Sequence, residues 1–515
     1  MKKQLKGIIG LGATVVVLGG GLAIMKLTEK SEDNPNGNSI SSEQNSTNPS
    51  ENTQTNGVGI ILNADVEGEL DSGVVKSVKV INSFGEFNVV MKTAPTEDSA
   101  ATYTIAGYED LRLSTSIVGT LANNGKKLVS ASIIEENCEN LDKFGLKNPS
   151  ITVELTYESG NVRKFYVGDK TPVNSQMYVR VEGSNTVYTV ENSSLENYKR
   201  NPIDFVDSII LEEPSEDDYP IINSLRVERD DIDYDILLEY DKRSEDSNSG
   251  GTSSSHLMIE PVKANLTIEK SQGITNGMFG LSSESIYSVH CTEDDIAKAG
   301  LDEPFCRVTM KCDDNSEYVL LLSEKFTDEN EKNCYYGMLE GDNVIYTISE
   351  ENAVWASVMP VDIASKSMLS SIVWNVSEIS IDCENGDSVK FVKTPLRDDV
   401  TASDASAADF SVKKNGEECD FERFRGLYSV LLRGSGEDLA IGEKIPEGKP
   451  LVTVGYTDSY LGESHVLEFY ERTVMTSLVV IDGECRFICK KSYVDTLIEN
   501  VKRTETGEEY ITTYK

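Results

Sequence analysis

At 515 residues the chain exceeds one ordinary hydrophobic core and has room for about three domains. With 87 acidic against 48 basic residues its formal charge is -39, so it has no surplus of cations to neutralise a phosphate backbone, and nucleic acid is excluded as a partner. The same charge disfavours anionic lipid surfaces and reads first as a solvated, solubilising exterior.

Residues 7–25, GIIGLGATVVVLGGGLAIM, carry no charge over 19 positions. At about 1.5 Å per residue a helix of that length reaches roughly 28 Å, close to the hydrocarbon thickness of a bilayer. A transmembrane anchor is therefore expected at 7–27. Lys2, Lys3 and Lys6 precede it, whereas Lys26 and Lys30 are diluted by Glu29, Glu32 and Asp33, which puts residues 1–6 in the cytoplasm. A cleaved signal peptide is the rival reading, but no small-x-small site precedes Lys26. Gly19, Gly20 and Gly21 would permit close helix packing. Residues 28–58 contain almost nothing to bury and read as a disordered stalk, leaving the bulk of the chain extracytoplasmic.

Beyond the stalk the sequence repeats. GLKNPSITVEL at 145–155 returns as GLDEPFCRVTM at 300–310, and MYVRVEGSNTVYTV at 177–190 returns as YYGMLEGDNVIYTI at 335–348. Gly145, Leu146 and Pro149 thus correspond to Gly300, Leu301 and Pro304, and Gly183 and Tyr188 to Gly341 and Tyr346. A weaker third copy aligns Pro450 with Pro149 and Gly483 with Gly183. Self-similarity of this kind predicts three repeat modules, at 76–203, 221–360 and 377–503. The polar stretches 242–255 and 397–409 read as exposed loops inside modules.

Within the first module VKSVKVI and ATYTIAGY read as strands, and Ser114 as the cap of a short helix that passes Leu121 and stops at Gly125. The segments ITVELTY, VRKFYVG, MYVRVEG and TVYTV alternate as an antiparallel meander does. In the third module Asp420 is the expected N-cap. Phe421, Phe424, Leu427, Tyr428, Leu431 and Leu432 then recur at helical spacing before Gly434. One short helix packed on such a meander predicts an α+β fold. In the Gly-Leu-x-x-Pro step, glycine supplies a left-handed cap, leucine a core anchor and proline a strand start, so the motif is structural.

That step, with ITVELTYESGNVRKFYVGDKTP and the closing YVRVEGSNTVYTV, resembles an uncharacterised bacterial envelope family, a numbered domain of unknown function of the 4340 type. The resemblance is clearest over 76–200 and extends to 221–360. It thins over 377–503, where Gly-Leu is absent before Pro450 and the Val-Tyr ending becomes Phe487-Ile488. Members are often anchored by one N-terminal helix and occur beside ATP-binding-cassette transporters, including the gliding-motility type. The resemblance implies an accessory role, with transporter subunits as partners, and supplies no catalytic residues.

No chemical constellation competes with this. His256, His290 and His465 fall in no metal-ligand spacing, and His290 and Cys291, adjacent on a strand, would point to opposite faces. Gly168-Asp169-Lys170-Thr171 has the wrong glycine spacing for a phosphate loop and reads as a hairpin turn. Asp230, Asp231, Asp233 and Asp235, or Asn63, Asp65 and Glu67, offer oxygen ligands to calcium, but neither group completes an EF-hand. The nine cysteines cannot all pair within the chain and read as small buried hydrophobes. Tyr335, Tyr336, Trp355 and Trp374 read as core residues before they read as a glycan or peptide groove. A non-enzymatic protein with no cofactor and no metal is expected, either an accessory subunit or a surface-binding module for a glycan, peptide or wall polymer.

Overall fold

The computed structural model describes residues 73–514 except 126–127, 173–174, 247–253 and 399. The expected anchor at 7–27 and stalk at 28–58 lie outside the described residues. Among the described residues no helix is long and apolar enough to cross a membrane.

Three antiparallel sheets of eight, ten and nine strands follow one another along the chain. From edge to edge the first runs Thr102–Ile105, Gly85–Thr93, Val75–Asn82, Ile151–Tyr157, Val162–Lys170, Gln176–Val181, Val187–Glu191 and Ser132–Glu135. The second runs Ala264–Asn265, His256–Glu260, Ile236–Tyr240, Ile222–Arg229, Cys306–Cys312, Glu317–Leu322, Asn333–Leu339, Val344–Ser349 and Ser285–Val289, with Phe326–Thr327 added beside Asn333–Leu339. The third runs Glu417–Cys419, Phe410–Lys414, Ser388–Pro395, Val376–Cys383, Val452–Asp458, Glu463–Glu471, Thr476–Ile481, Glu484–Lys490 and Asp438–Leu439.

All three follow one path. The chain lays down its first strands outward from the middle, crosses through a helix to place a short strand on the far edge, then returns to the middle and fills the gap strand by strand. The crossing helices are Thr115–Asn124, Ile268–Thr275 and Phe421–Leu432. Asp420 caps the last of these by accepting a hydrogen bond from Glu422 N–H at 2.9 Å, and its buried face includes Phe424, Leu427 and Leu431. Leu432, expected on that face, is instead 47% exposed. A further helix, Lys491–Thr506, buries Tyr493, Val494, Leu497 and Val501, and ends at Gly507.

The expected α+β class is corrected by this topology: the described chain is mainly β. A helix of 10, 8 or 12 residues sits in each crossover and does not amount to a layer beside sheets of eight to ten strands. The meander reading captured the four strands after the crossover. It missed that they continue a sheet begun before the helix, because pairings such as Val78 with Leu155 join segments far apart in sequence. Two-residue edge strands such as Ala264–Asn265 and Asp438–Leu439 are too short to show a period of two.

One connected cluster of buried side chains extends through all three sheets, from Val75 to Val501. Smaller patches cover the opposite faces: Cys138, Phe144, Leu146 and Val187 on the first sheet, and Leu301, Leu321, Met338 and Ile345 on the second. The joints are made by backbone pairing. Ile210 N–H, on the segment leading from the first sheet to the second, donates to Leu281 C=O in the second sheet's crossover at 2.7 Å, and Thr267 N–H donates to Ile363 C=O at 2.9 Å on the way to the third.

Candidate functional site

Of the repeat-motif residues, Leu146 and Leu301 belong to the outer patches, whereas Tyr188 and Tyr346 belong to the main core. Gly145 follows the turn Leu141–Phe144 in the left-handed region at φ 68°, and Gly300 has the same φ. Leu146 and Leu301 are buried, and Pro149 and Pro304 are half-buried just ahead of the strands Ile151–Tyr157 and Cys306–Cys312. Gly183 and Gly341 sit in hairpin turns at φ 86° and 87°. Tyr188 and Tyr346 are buried, and burial pushes the Tyr346 phenol up to about 12.

Gly168 is not in a turn, as expected, but inside the strand Val162–Lys170, where the pairing slips between Val167 and Lys170. A Cβ there would fall on the Phe144 carbonyl oxygen, so a close backbone approach demands glycine. Gly168→Ala is expected to cost about 1–3 kcal/mol, read as a lower thermal midpoint. An unchanged midpoint would mean that the Leu141–Phe144 turn moves aside freely.

The histidines serve three separate surroundings. His256 is buried, with Nε2 2.8 Å from Ile222 C=O and Nδ1 2.9 Å from Ser255 Oγ, and burial holds its pKa below the ordinary value. His290 Nε2 lies 3.0 Å from Asp110 Oδ1, and Asn343 donates to the other oxygen at 3.1 Å. These hydrogen bonds hold the Asp110 carboxyl below its usual range. His465 lies in the cleft described below.

The acidic run is divided between cations: Asp231 pairs with Arg229 at 2.6 Å, and Asp235 pairs with Arg226. Asn63, Asp65 and Glu67 lie outside the described residues. Among the described residues no three His, Cys, Asp or Glu side chains converge as a metal site. All nine cysteines are free thiols. Trp355 and Tyr335 are buried and Trp374 stacks on Phe410 and Phe421, whereas Tyr336 forms a surface stack with Tyr287 and Phe326 at centroid distances of 4.3 and 4.4 Å.

Between the second and third sheets opens a cleft of about 340 Å³. From the second sheet come Asp241, immediately after the strand Ile236–Tyr240, with Arg243, Leu257 and Lys263. Asp241 is buried and holds Arg243 through both oxygens, accepting from Nε at 3.0 Å and from Nη2 at 3.1 Å. The third sheet supplies Glu463 and His465 from the strand Glu463–Glu471, Asp482 from the next hairpin turn, and Arg486 from Glu484–Lys490. Asp482 adopts φ 53°, a left-handed conformation that aspartate tolerates better than most side chains.

Its carboxylate takes His465 Nδ1 at 2.8 Å on one oxygen and Val466 N–H at 2.8 Å on the other. Burial works against this charge, but the His465 and Val466 hydrogen bonds and the Arg486 guanidinium outweigh it and keep the carboxyl below its ordinary range. His465 Nε2 faces Glu463 Oε2 at 3.5 Å, in the place a nucleophile's hydroxyl or thiol would need to take. The arrangement fixes charges around a concavity and lacks the layout of a nucleophile with its base. In the sequence His465 has no metal-ligand spacing and 242–255 has the composition of an exposed loop. Glu463, His465, Asp482 and Arg486 lie near one another in the chain, but Asp241, Arg243 and Lys263 reach the cleft from another sheet, so no local spacing marks the whole group.

Residues 104–248 match the family model of a domain of unknown function, DUF4340. The resemblance drawn from the sequence therefore holds at the level of that domain, over a stretch running from the first sheet into the second. No curated protein and no solved structure matches the chain.

Proposed function

We propose that this chain is a single-pass membrane protein with a cytoplasmic N-terminus and an extracytoplasmic body, acting without catalysis as an accessory component of an ATP-binding-cassette transporter or related envelope complex. The observation that carries the reading is the uncharged span 7–25 followed by a polar stalk and an acidic β-rich body. The DUF4340 match over 104–248 supports it, since the resemblance to that family implies a setting beside transporters. A binding rather than catalytic use of the cleft fits Glu463 taking the position that faces His465.

The test is affinity purification of the full-length chain from its native membrane after mild crosslinking, with mass spectrometry of the recovered proteins. Recovery of a permease and its ATPase is expected. A preparation with an intact anchor and no transporter subunit would overturn the accessory role. A second reading, a surface-binding module for a glycan, peptide or wall polymer, is favoured by the cleft and by the exposed Tyr287 beside Tyr336 and Phe326.

A further inference from the structure

The geometry points to the cleft between the second and third sheets as a binding site for a small oxyanion, a carboxylate or phosphate carried on a partly apolar body. The argument rests on counting hydrogen-bonding capacity. Glu463 meets Arg243 and His465 only at ion-pair distance, 4.0 and 3.5 Å, but the other two acids of the cleft are hydrogen-bonded, Asp241 with Arg243, and Asp482 with His465 and the Val466 N–H. Not all of the donors are. Arg486 gives Nη2 to Glu484 at 3.2 Å, but its Nη1 has no acceptor among the described residues, and neither has its solvent-shielded Nε. Lys263, at an exposed position on the rim, has no ion-pair or hydrogen-bond partner among them either.

A cleft whose Asp241 and Asp482 are already hydrogen-bonded while Arg486 and Lys263 keep free donors is completed by a ligand that brings acceptors. Charge agrees. Arg243, Lys263 and Arg486 formally cancel Asp241, Glu463 and Asp482 here, in a chain whose overall charge of -39 repels anions elsewhere. Leu257, Met368, Ile481 and Phe487 supply apolar wall, which suits a ligand with an apolar body. The volume of about 340 Å³ falls within the roughly 300–1,000 Å³ typical of small-molecule sites. The inference stands apart from the accessory reading, since the cleft binds an anion whether or not a transporter subunit accompanies the chain.

The test is calorimetric titration of the full-length chain in detergent with N-acetylleucine, with its uncharged amide, and with inorganic phosphate. Saturable binding of an anion is expected, none of the amide, and about tenfold weaker binding in Lys263→Gln and in Arg486→Gln. Tighter N-acetylleucine would assign a carboxylate on an apolar body; tighter phosphate would assign a phosphoryl group. Should Arg486→Gln fail to fold, Lys263→Gln still decides, because its exposed position leaves the core intact. The inference is overturned by no saturable binding of either anion, by equal binding of the amide, or by unaltered affinity in the folded variants.

Discussion

Replacing Trp355 with alanine is expected to cost the folded chain about 3–5 kcal/mol, the range for deleting a large aromatic from a close-packed interior. Trp355 is 2% exposed in the short turn Val354–Ala356, packed near the strand Cys306–Cys312 and the helix Ile268–Thr275, on the segment leading to the third sheet. Its indole Nε1 has no acceptor among the described residues, so the loss is one of packing alone. Trp355→Phe, which keeps a ring and removes that orphaned donor, is expected to lose less. The buried cluster is continuous from Val75 to Val501, so the damage is expected to spread through all three sheets. Trp374 is the other of the two tryptophans and lies beside the third sheet's Phe410 and helix residue Phe421, so it reports on that region in the variant. Urea unfolding followed by circular dichroism and by Trp374 fluorescence should give coincident transitions at lower urea. A fluorescence midpoint left at its wild-type value would show instead that the third sheet unfolds independently.

The second large effect is a pH dependence set by Lys393. This side chain is 4% exposed, donates to Trp374 C=O at 2.6 Å and Val373 C=O at 3.1 Å, and holds its ammonium 4.0 Å from the centre of the Phe410 ring. Burial lowers its pKa to about 8, against the pull of the Asp458 carboxylate. Below about pH 8 the lysine is charged in both folded and unfolded chains, and the folded state bears the whole cost of the buried charge. Between about pH 8 and the unfolded value near 10.5 the folded chain releases the proton first, so stability rises with pH across that window. The gain is on the order of 3 kcal/mol, at 1.36 kcal/mol for each pKa unit. Lys393→Met, which places here the residue type found at Met91 in the corresponding strand of the first sheet, should remove this rise. Urea midpoints of both proteins at pH 7.5 and pH 10 read it directly. Parallel behaviour of the two would mean that the lysine titrates as if in water.

How much of this was legible from sequence depends on the range of the interaction. The helix Phe421–Leu432 could be read from Asp420 and the spacing of Phe424, Leu427 and Leu431, because cap and stripe lie within a few turns of each other. Ile151–Tyr157 could be read because its buried positions alternate strictly. Glycine at 168 looked like a turn, since the Phe144 carbonyl that forbids a side chain there comes from a different segment. His465 looks isolated because its partner Asp482, 17 residues on, is brought beside it only by strand pairing, and Asp241 and Lys263 reach the same cleft from another sheet.

The chain alone determined its charge, the uncharged span ahead of a polar segment, the self-similar stretches of sequence, and the local elements whose signals are periodic or capped. Only the tertiary structure decided that the strands after each crossover extend a sheet begun before it, making the protein mainly β, and that one core passes through all three sheets. It also brought Arg243, Glu463, His465, Asp482 and Arg486 around one concavity. The physical reason is that hydrophobic periodicity records which face of a segment is buried but not the partner that buries it. That partner is set by pairing and packing between residues distant in the chain.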